Sequence, residues 1–311
     1  MATTTKLVGL QAEPAEIVKS NSMWGDVWRR FRKHRLAIGA ALVLLLIILL
    51  VLAGPLFWKV DPERIDIVSA YAGMTAEHPF GSDNLGRDTL ARVIYGGRVS
   101  LAIGVSAMLI AMTIGTLVGM LAGYFKALDN WLMRLTDTFL SLPLLPLLLV
   151  ITLLFRDSLR TAFGPELGIF ILTVVVIGGL GWMPTARLVR GEVLTVKERE
   201  FVLAAKSLGA SDLSILWRHI LPNVVSPVIV AATFSVASAI ITESALSFLG
   251  LGFPPDFPTW GRLLFDGKDY LTLTPALVFW PGLMISLTVL CVNFIGDGLR
   301  DALDPRLRNK H

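Results

Sequence analysis

Few residues of this chain are of a type and spacing that could do chemistry. Glu243, followed by Ser244, is the one acid set within a long apolar stretch. Ionisable groups at membrane depth are costly and often functional. Glu243, with Ser244 beside it, either meets a substrate ammonium or gate in a translocation path, or is a satisfied structural acid near a membrane boundary. Its shallow depth favours the structural role. Asp83, Arg87, Asp88 and Arg92 form a second cluster, which either contacts an external partner or satisfies itself through the i, i+4 pair Asp88–Arg92. The D-x-[DN]-x-[DN]-G order of a calcium loop is missing there. Asp297, Arg300, Asp301 and Arg306 read as a solvated helix end with paired charges. His34, His78, His219 and His311 are scattered, and H-E-x-x-H and G-x-S-x-G are absent, so no catalytic residue and no metal ligand is expected. Cys291 is the sole cysteine, which excludes an intrachain disulfide. No G-x-x-x-x-G-K-[ST] loop is present to cradle ATP phosphates; Gly267-Lys268 runs on into Asp269. No cofactor is expected on this chain, and any driving energy must arrive by contact with a partner.

The elements that hold these residues are membrane spans. Hydrophobic residues make up 54% of the 311 and charged residues only 17%, against roughly 25% charged in soluble domains. The apolar residues cluster in six runs: Leu36–Phe57, Val99–Phe125, Thr138–Phe155, Leu167–Ala186, Ile220–Thr242 and Leu271–Gly296. A bilayer crossing needs about 20 such residues. The runs are continuous, whereas barrel strands alternate, so the fold class is all-α, a polytopic membrane protein of about six transmembrane helices. Pro143, Pro146, Pro275 and Pro281 are tolerable inside packed spans. The first run is too long, and too far from the start, for a cleaved signal peptide. Of the 28 Lys and Arg residues, 19 fall on the side of both termini, which puts those ends in the cytoplasm.

Before the first span, Trp24, Trp28 and Phe31 interleave with Arg29, Arg30, Arg32, Lys33 and Arg35. This pattern fits a short helix in the membrane interface, with lipid rather than nucleic acid as its partner. The second span carries Ala107, Ala111, Gly115, Gly119 and Gly123 at i+4 spacing. Such a stripe lets another backbone approach, either a helix of the same chain or a subunit or gate. The inner loop from Arg187 to Pro222 is far longer than a connection requires. A helix over Lys197–Leu208, a stop at Gly209, a cap at Ser211 or Asp212 and the apolar residues Leu213, Leu216, Trp217 and Ile220 make it a helical hairpin aimed at a soluble partner.

The run F-V-L-A-A-K-S-L-G from Phe201 to Gly209, then nine residues, then H-I-L-P from His219 to Pro222, resembles the E-A-A…G…I-x-L-P signature of membrane subunits of binding-protein-dependent, ATP-driven importers. Leu203 stands where that pattern has Glu, and His219 where it has Ile. H-P-F-G-S-D-N-L-G-R-D from His78 to Asp88, E-S-A-L-S-F-L-G-L-G from Glu243 to Gly252 and N-F-I-G-D-G-L-R-D-A-L-D-P-R from Asn293 to Arg306 are similar to the dipeptide/oligopeptide permeases of the DppC/OppC type. The resemblance runs through most of residues 30 to 308.

It implies a type I ABC importer permease (MetI-like) core in the bacterial inner membrane. The partners implied are a homologous DppB/OppB-type permease, two ATP-binding-cassette ATPases that use ATP and Mg2+, and an extracytoplasmic peptide-binding protein. Ala204, Ala205, Gly209, Ser211, Asp212, Leu213, Leu221 and Pro222 would form the ATPase-docking coupling loop. Asp83, Arg87 and Asp88 would face the binding protein. The cargo would be dipeptides or oligopeptides, with nickel chelates or glutathione as alternatives. A self-sufficient secondary transporter is the other class, but it calls for inverted repeats, of which none is clear, and for coupling charges, for which Glu243 is the only candidate. The expected organisation is a cytoplasmic segment 1–35, a first span 36–57, an outer loop 58–98, a five-helix core 99–300 holding the coupling loop 187–222, and a tail 301–311.

Overall fold

The computed structural model describes residues 23–303; Trp24's side chain, Arg306 and most of the expected tail lie outside what it describes. Among the described residues, five helices are long and apolar enough to cross a membrane, or six if one bent pair counts as a span. In chain order the helices are α1 (Met23–Phe31), α2 (Arg35–Phe57), α3 (Thr89–Tyr124), α4 (Lys126–Ser141), α5 (Leu144–Phe163), α6 (Pro165–Leu180), α7 (Met183–Val196), α8 (Glu200–Ser207), α9 (Asp212–Ile215), α10 (Leu221–Phe248), α11 (Trp260–Gly267) and α12 (Ala276–Leu303).

The bent pair corrects the expected third span. Thr138–Phe155 is not one straight helix: α4 and α5 meet at 88°. Pro143 removes a backbone donor and drives the preceding Leu142 out of the helical region, to ψ 138. α4 carries Asn130, Arg134 and Asp137, and the apolar part of the pair is α5.

The second span begins at Thr89, ten residues before the apolar run, because the charged residues at its start find partners within the chain. Asp88 caps it, accepting from the Ala91 amide at 2.7 Å. Arg98 donates to the carbonyls of Val51 and Leu52, each at 2.9 Å. Glycines then let α3 run close to its neighbours. A Cβ on Gly97 would stand 2.6 Å from Val51 Cγ2 and 2.8 Å from Trp260 Cζ2, and one on Gly104 would stand 2.8 Å from Ile240 Cγ1.

One end of the bundle gathers the end of α3, the hairpin α8–α9, the start of α10, the end of α12, and α1. The other end carries the loop before α3 and the segment around α11.

Candidate functional sites: a hairpin and a cleft

The hairpin is closed by its own backbone. The Gly209 amide donates to Lys206 O and the Ala210 amide to Ala205 O. This paired closure needs a left-handed residue, and Gly209 supplies it at φ 81. Ser211 then caps α9 by accepting from the Ser214 amide. Leu216–Ile220 forms a π turn leading into α10, and the Asn223 amide side chain donates to His219 O at 2.7 Å.

Val202, Ile215, Leu216, Ile220 and Val224 bury themselves against Val189, Val193 and Met120. The hairpin is thereby rooted in α3, α7 and α10. Two polar ties reinforce the root: the Tyr124 hydroxyl donates to Asp212 at 2.6 Å, and Lys197 Nζ donates to Gly123 O at 2.9 Å. The opposite face is bare. Leu208 is 89% exposed and Leu213 67%, with Leu203, Trp217 and Phe201 exposed beside them and Ala204 between. Large side chains exposed on a rigid, well-rooted tip mark an interaction surface. Leu221 and Pro222 are not on this face; they open α10, and Pro222 lines the cleft.

That cleft has a volume of about 930 Å³. It follows α10 from Pro222 to Thr242, about 30 Å of helix at 1.5 Å per residue, which matches the hydrocarbon thickness. Its walls come from α3, α5, α6, α7 and the end of α12, with the Ser226, Ser235, Ser238 and Thr242 positions spread along α10. Among the described residues, only Glu192 and Arg300 bring charge to the lining, and both belong to the hairpin end.

A sequence profile described as "Binding-protein-dependent transport system inner membrane component" matches residues 115–309, which contain the hairpin and most of the cleft wall. The chain belongs to this family. In this inner-membrane component a second profile, the N-terminal transmembrane domain of oligopeptide transport permease C, matches residues 22–73. The oligopeptide transport system permease protein OppC of Bacillus subtilis is 37% identical over 93% of this chain and 92% of that protein. The dipeptide transport system permease protein DppC of the same organism is 39% identical over 91% and 86%. The glutathione transport system permease protein GsiD of Pectobacterium atrosepticum is 37% identical over 92% of each.

Other expected site residues take internal roles in this family member. Glu243 and Ser244 do not line the cleft. Glu243 is 1% exposed and accepts from Ser247 Oγ at 2.8 Å and Ser100 Oγ at 3.3 Å. Ser100 in turn accepts from the Trp260 amide at 3.2 Å. The acid therefore pins α10 to α3 and α11. Ser244 backs onto Gly261, where a Cβ would stand 2.5 Å from Ser244 Cα.

Asp83, Arg87 and Asp88 are buried and spend their polar groups within the chain. Asp83 accepts from Arg87 Nε and Arg92 Nη1, both at 2.7 Å. Arg92 also donates to Pro255 O at 2.8 Å. The expected Asp88–Arg92 pair does not form, because Asp88 is committed to capping α3 and to Trp58 Nε1 at 2.9 Å. This network joins the loop before α3 to the loop before α11. Tyr71 and Tyr270 bridge the same two regions with ring centroids 5.2 Å apart. The hydrogen bond in which the Tyr71 hydroxyl donates to Tyr270 pushes the Tyr71 phenol up to about 12.

The small-residue stripe serves the chain itself. A Cβ on Gly115, Gly119 or Gly123 would stand 2.6–2.7 Å from Thr185, Ala186 or Val193 of α7. Ala107 and Ala111 are buried on the same helix and also edge the cleft.

One feature escaped the sequence reading. Asp129 takes both Arg190 Nε and Nη2, at 2.5 and 2.7 Å, and Asp137 takes Arg187 Nη2 at 2.6 Å. These pairs strap α4 across α7. The acids lie eight residues apart on α4 and the arginines three apart on α7, a spacing that does not by itself say the two helices meet.

Proposed function

We propose that this chain is the transmembrane permease subunit of an ATP-binding-cassette importer, forming with a homologous permease the path by which small peptides cross the bacterial inner membrane. Family membership supports the transport role. The cargo class is supported by the names of the relatives, which specify oligopeptides, dipeptides and glutathione, all amide-linked chains. Lys and Arg enrichment puts the hairpin end and both termini in the cytoplasm. Two ATPase subunits that use ATP and Mg2+ would sit below that end. An extracytoplasmic binding protein would deliver peptide to the other.

The observation that carries this reading is the hairpin itself, with Leu203, Leu208, Leu213 and Trp217 bare on one side and Val202, Ile215 and Ile220 buried on the other. A body rooted in three helices moves as a unit. α3, α7 and α10 also wall the cleft, so a push on the tip alters its width. The chain lacks a phosphate-binding loop, which makes it the driven member of the pair and not an ATPase.

The test is co-purification with the ATPase subunits and peptide uptake in the Ala205→Glu and Gly209→Pro variants. Ala205 is only partly buried, so a charge there leaves the spans folded. Proline cannot adopt φ 81 and lacks the amide that donates to Lys206 O. Loss of the ATPases from the complex together with at least a tenfold drop in uptake is expected. An unchanged complex with unchanged uptake refutes the docking role.

A further inference from the structure

The basic segment before the first span is not used by the mechanism above. Arg29, Arg30, Arg32, Lys33 and Arg35 fall within seven residues. Arg32, Lys33 and Arg35 are exposed and form no ion pair among the described residues. Trp28, 58% exposed, stands on the same short helix. A tight turn joins α1 to the 23-residue apolar α2, capped by His34 Nδ1 accepting from the Ala37 amide at 3.1 Å. The cations are therefore held at the edge of the hydrocarbon, at the depth of lipid phosphates.

The buried side of α1 leads elsewhere. Phe31 is 7% exposed and packs with Ala37 and Ala302. It sits on Gly298 of α12, where a Cβ would meet Ala37 and come within 3.2 Å of the Phe31 ring. His34 Nε2 lies 3.7 Å from Asp301. Arg300 and Leu303, on the same turns of α12, line the hairpin-end mouth of the cleft.

We propose that α1 and its turn form a docking surface for anionic phospholipid headgroups, and that occupancy of this surface sets the width of the inner mouth through the Phe31–Gly298 seat. Orientation alone would need only the charges. The seat ties those charges to the wall of the mouth.

The experiment uses the full transporter complex in nanodiscs of phosphatidylcholine alone or with added phosphatidylglycerol. Spin labels at S226C and L303C in a Cys291→Ala background report the distance across the mouth, a readout that does not depend on cargo or on the transport reading. Native mass spectrometry counts retained phosphatidylglycerol. The wild type should change its label distance when phosphatidylglycerol is added. The triple variant R30Q/R32Q/K33Q should lose that response and hold the anionic lipid about 100-fold more weakly, each cation contributing about fivefold. Gly298→Leu keeps every cation, and with them the orientation; it should retain the lipid yet lose the distance response. Added inorganic phosphate should not reproduce the response, which separates a lipid surface from a free-anion site. Equal distances in both lipids, undiminished retention in the triple variant, or a response to phosphate alone overturns the proposal.

Discussion

Replacing Asp83 with alanine removes four accepted hydrogen bonds at once: the Leu85 and Arg87 amides at 2.9 Å, Arg87 Nε and Arg92 Nη1 at 2.7 Å. Both guanidinium groups stay behind, with side chains 6% and 2% exposed. Breaking a buried pair from one side costs about 3–5 kcal/mol, because the remaining charge has lost its counterion. Arg92 keeps Pro255 O at 2.8 Å and Asp266 at 3.4 Å, so the lower bound of about 3 kcal/mol applies. The open population of the loop-side cap should then rise about 100-fold. Trypsin added to that side of the membrane reads this directly, since Arg87 and Arg92 are cleavable only when the cap opens. Where opening is fast relative to cleavage, the rate follows the open population. Asp83→Asn keeps the shape and loses the charge, and should fall within a factor of three of the alanine variant. Cleavage within twofold of wild type in both variants would refute the account of this network as the tie between the two loops.

Gly119→Val places a Cβ 2.6 Å from Ala186 O and 2.7 Å from Val189 Cβ. It should destabilise the purified complex by about 1–3 kcal/mol, read as a lowered unfolding temperature, and an unchanged temperature would count against close α3–α7 packing. Asp129→Ala removes both bonds to Arg190, but the pair is partly exposed, at 25% and 34%. The expected loss is about 1 kcal/mol; the double variant with Arg190→Met should lose no more than the single one, and strict additivity would argue against coupling. Glu243→Gln retains a carbonyl acceptor for Ser247 and Ser100, so assembly should persist and uptake fall by less than tenfold. Complete loss of uptake would return Glu243 to the gate.

The spans were legible because uninterrupted apolar runs have one meaning in a bilayer. The turn at Gly209 was legible because glycine adopts the left-handed conformation after a helix without strain. Where the reading failed, tertiary partners decided. Pro143 looked like an interior proline of a packed span, yet it ends α4 at Leu142 and makes a corner. Arg92 looked like the i+4 partner of Asp88, but Asp83, nine residues back along the chain, took it once the loop folded over. Glu243 carried two readings in the sequence, and only the positions of Ser100 and Trp260, from distant segments, separate them. The Asp129–Arg190 strap spans 61 residues, a separation at which spacing rules say nothing about contact.

The corner between α4 and α5 also bears on how the chain enters the lipid during synthesis. From Leu144 to Phe155 α5 offers 12 uncharged residues before Arg156, Asp157 and Arg160, about 18 Å of helix against the roughly 30 Å of a hydrocarbon core. Alone it is a poor substrate for the translocon. α6 follows directly through Gly164 at φ 86 and packs so closely that a Cβ on Gly168 would overlap the α5 backbone at Leu159. The two helices are therefore suited to insert as one unit, and in nascent chains ending before α6 a cysteine placed in α5 should stay open to a water-soluble thiol reagent.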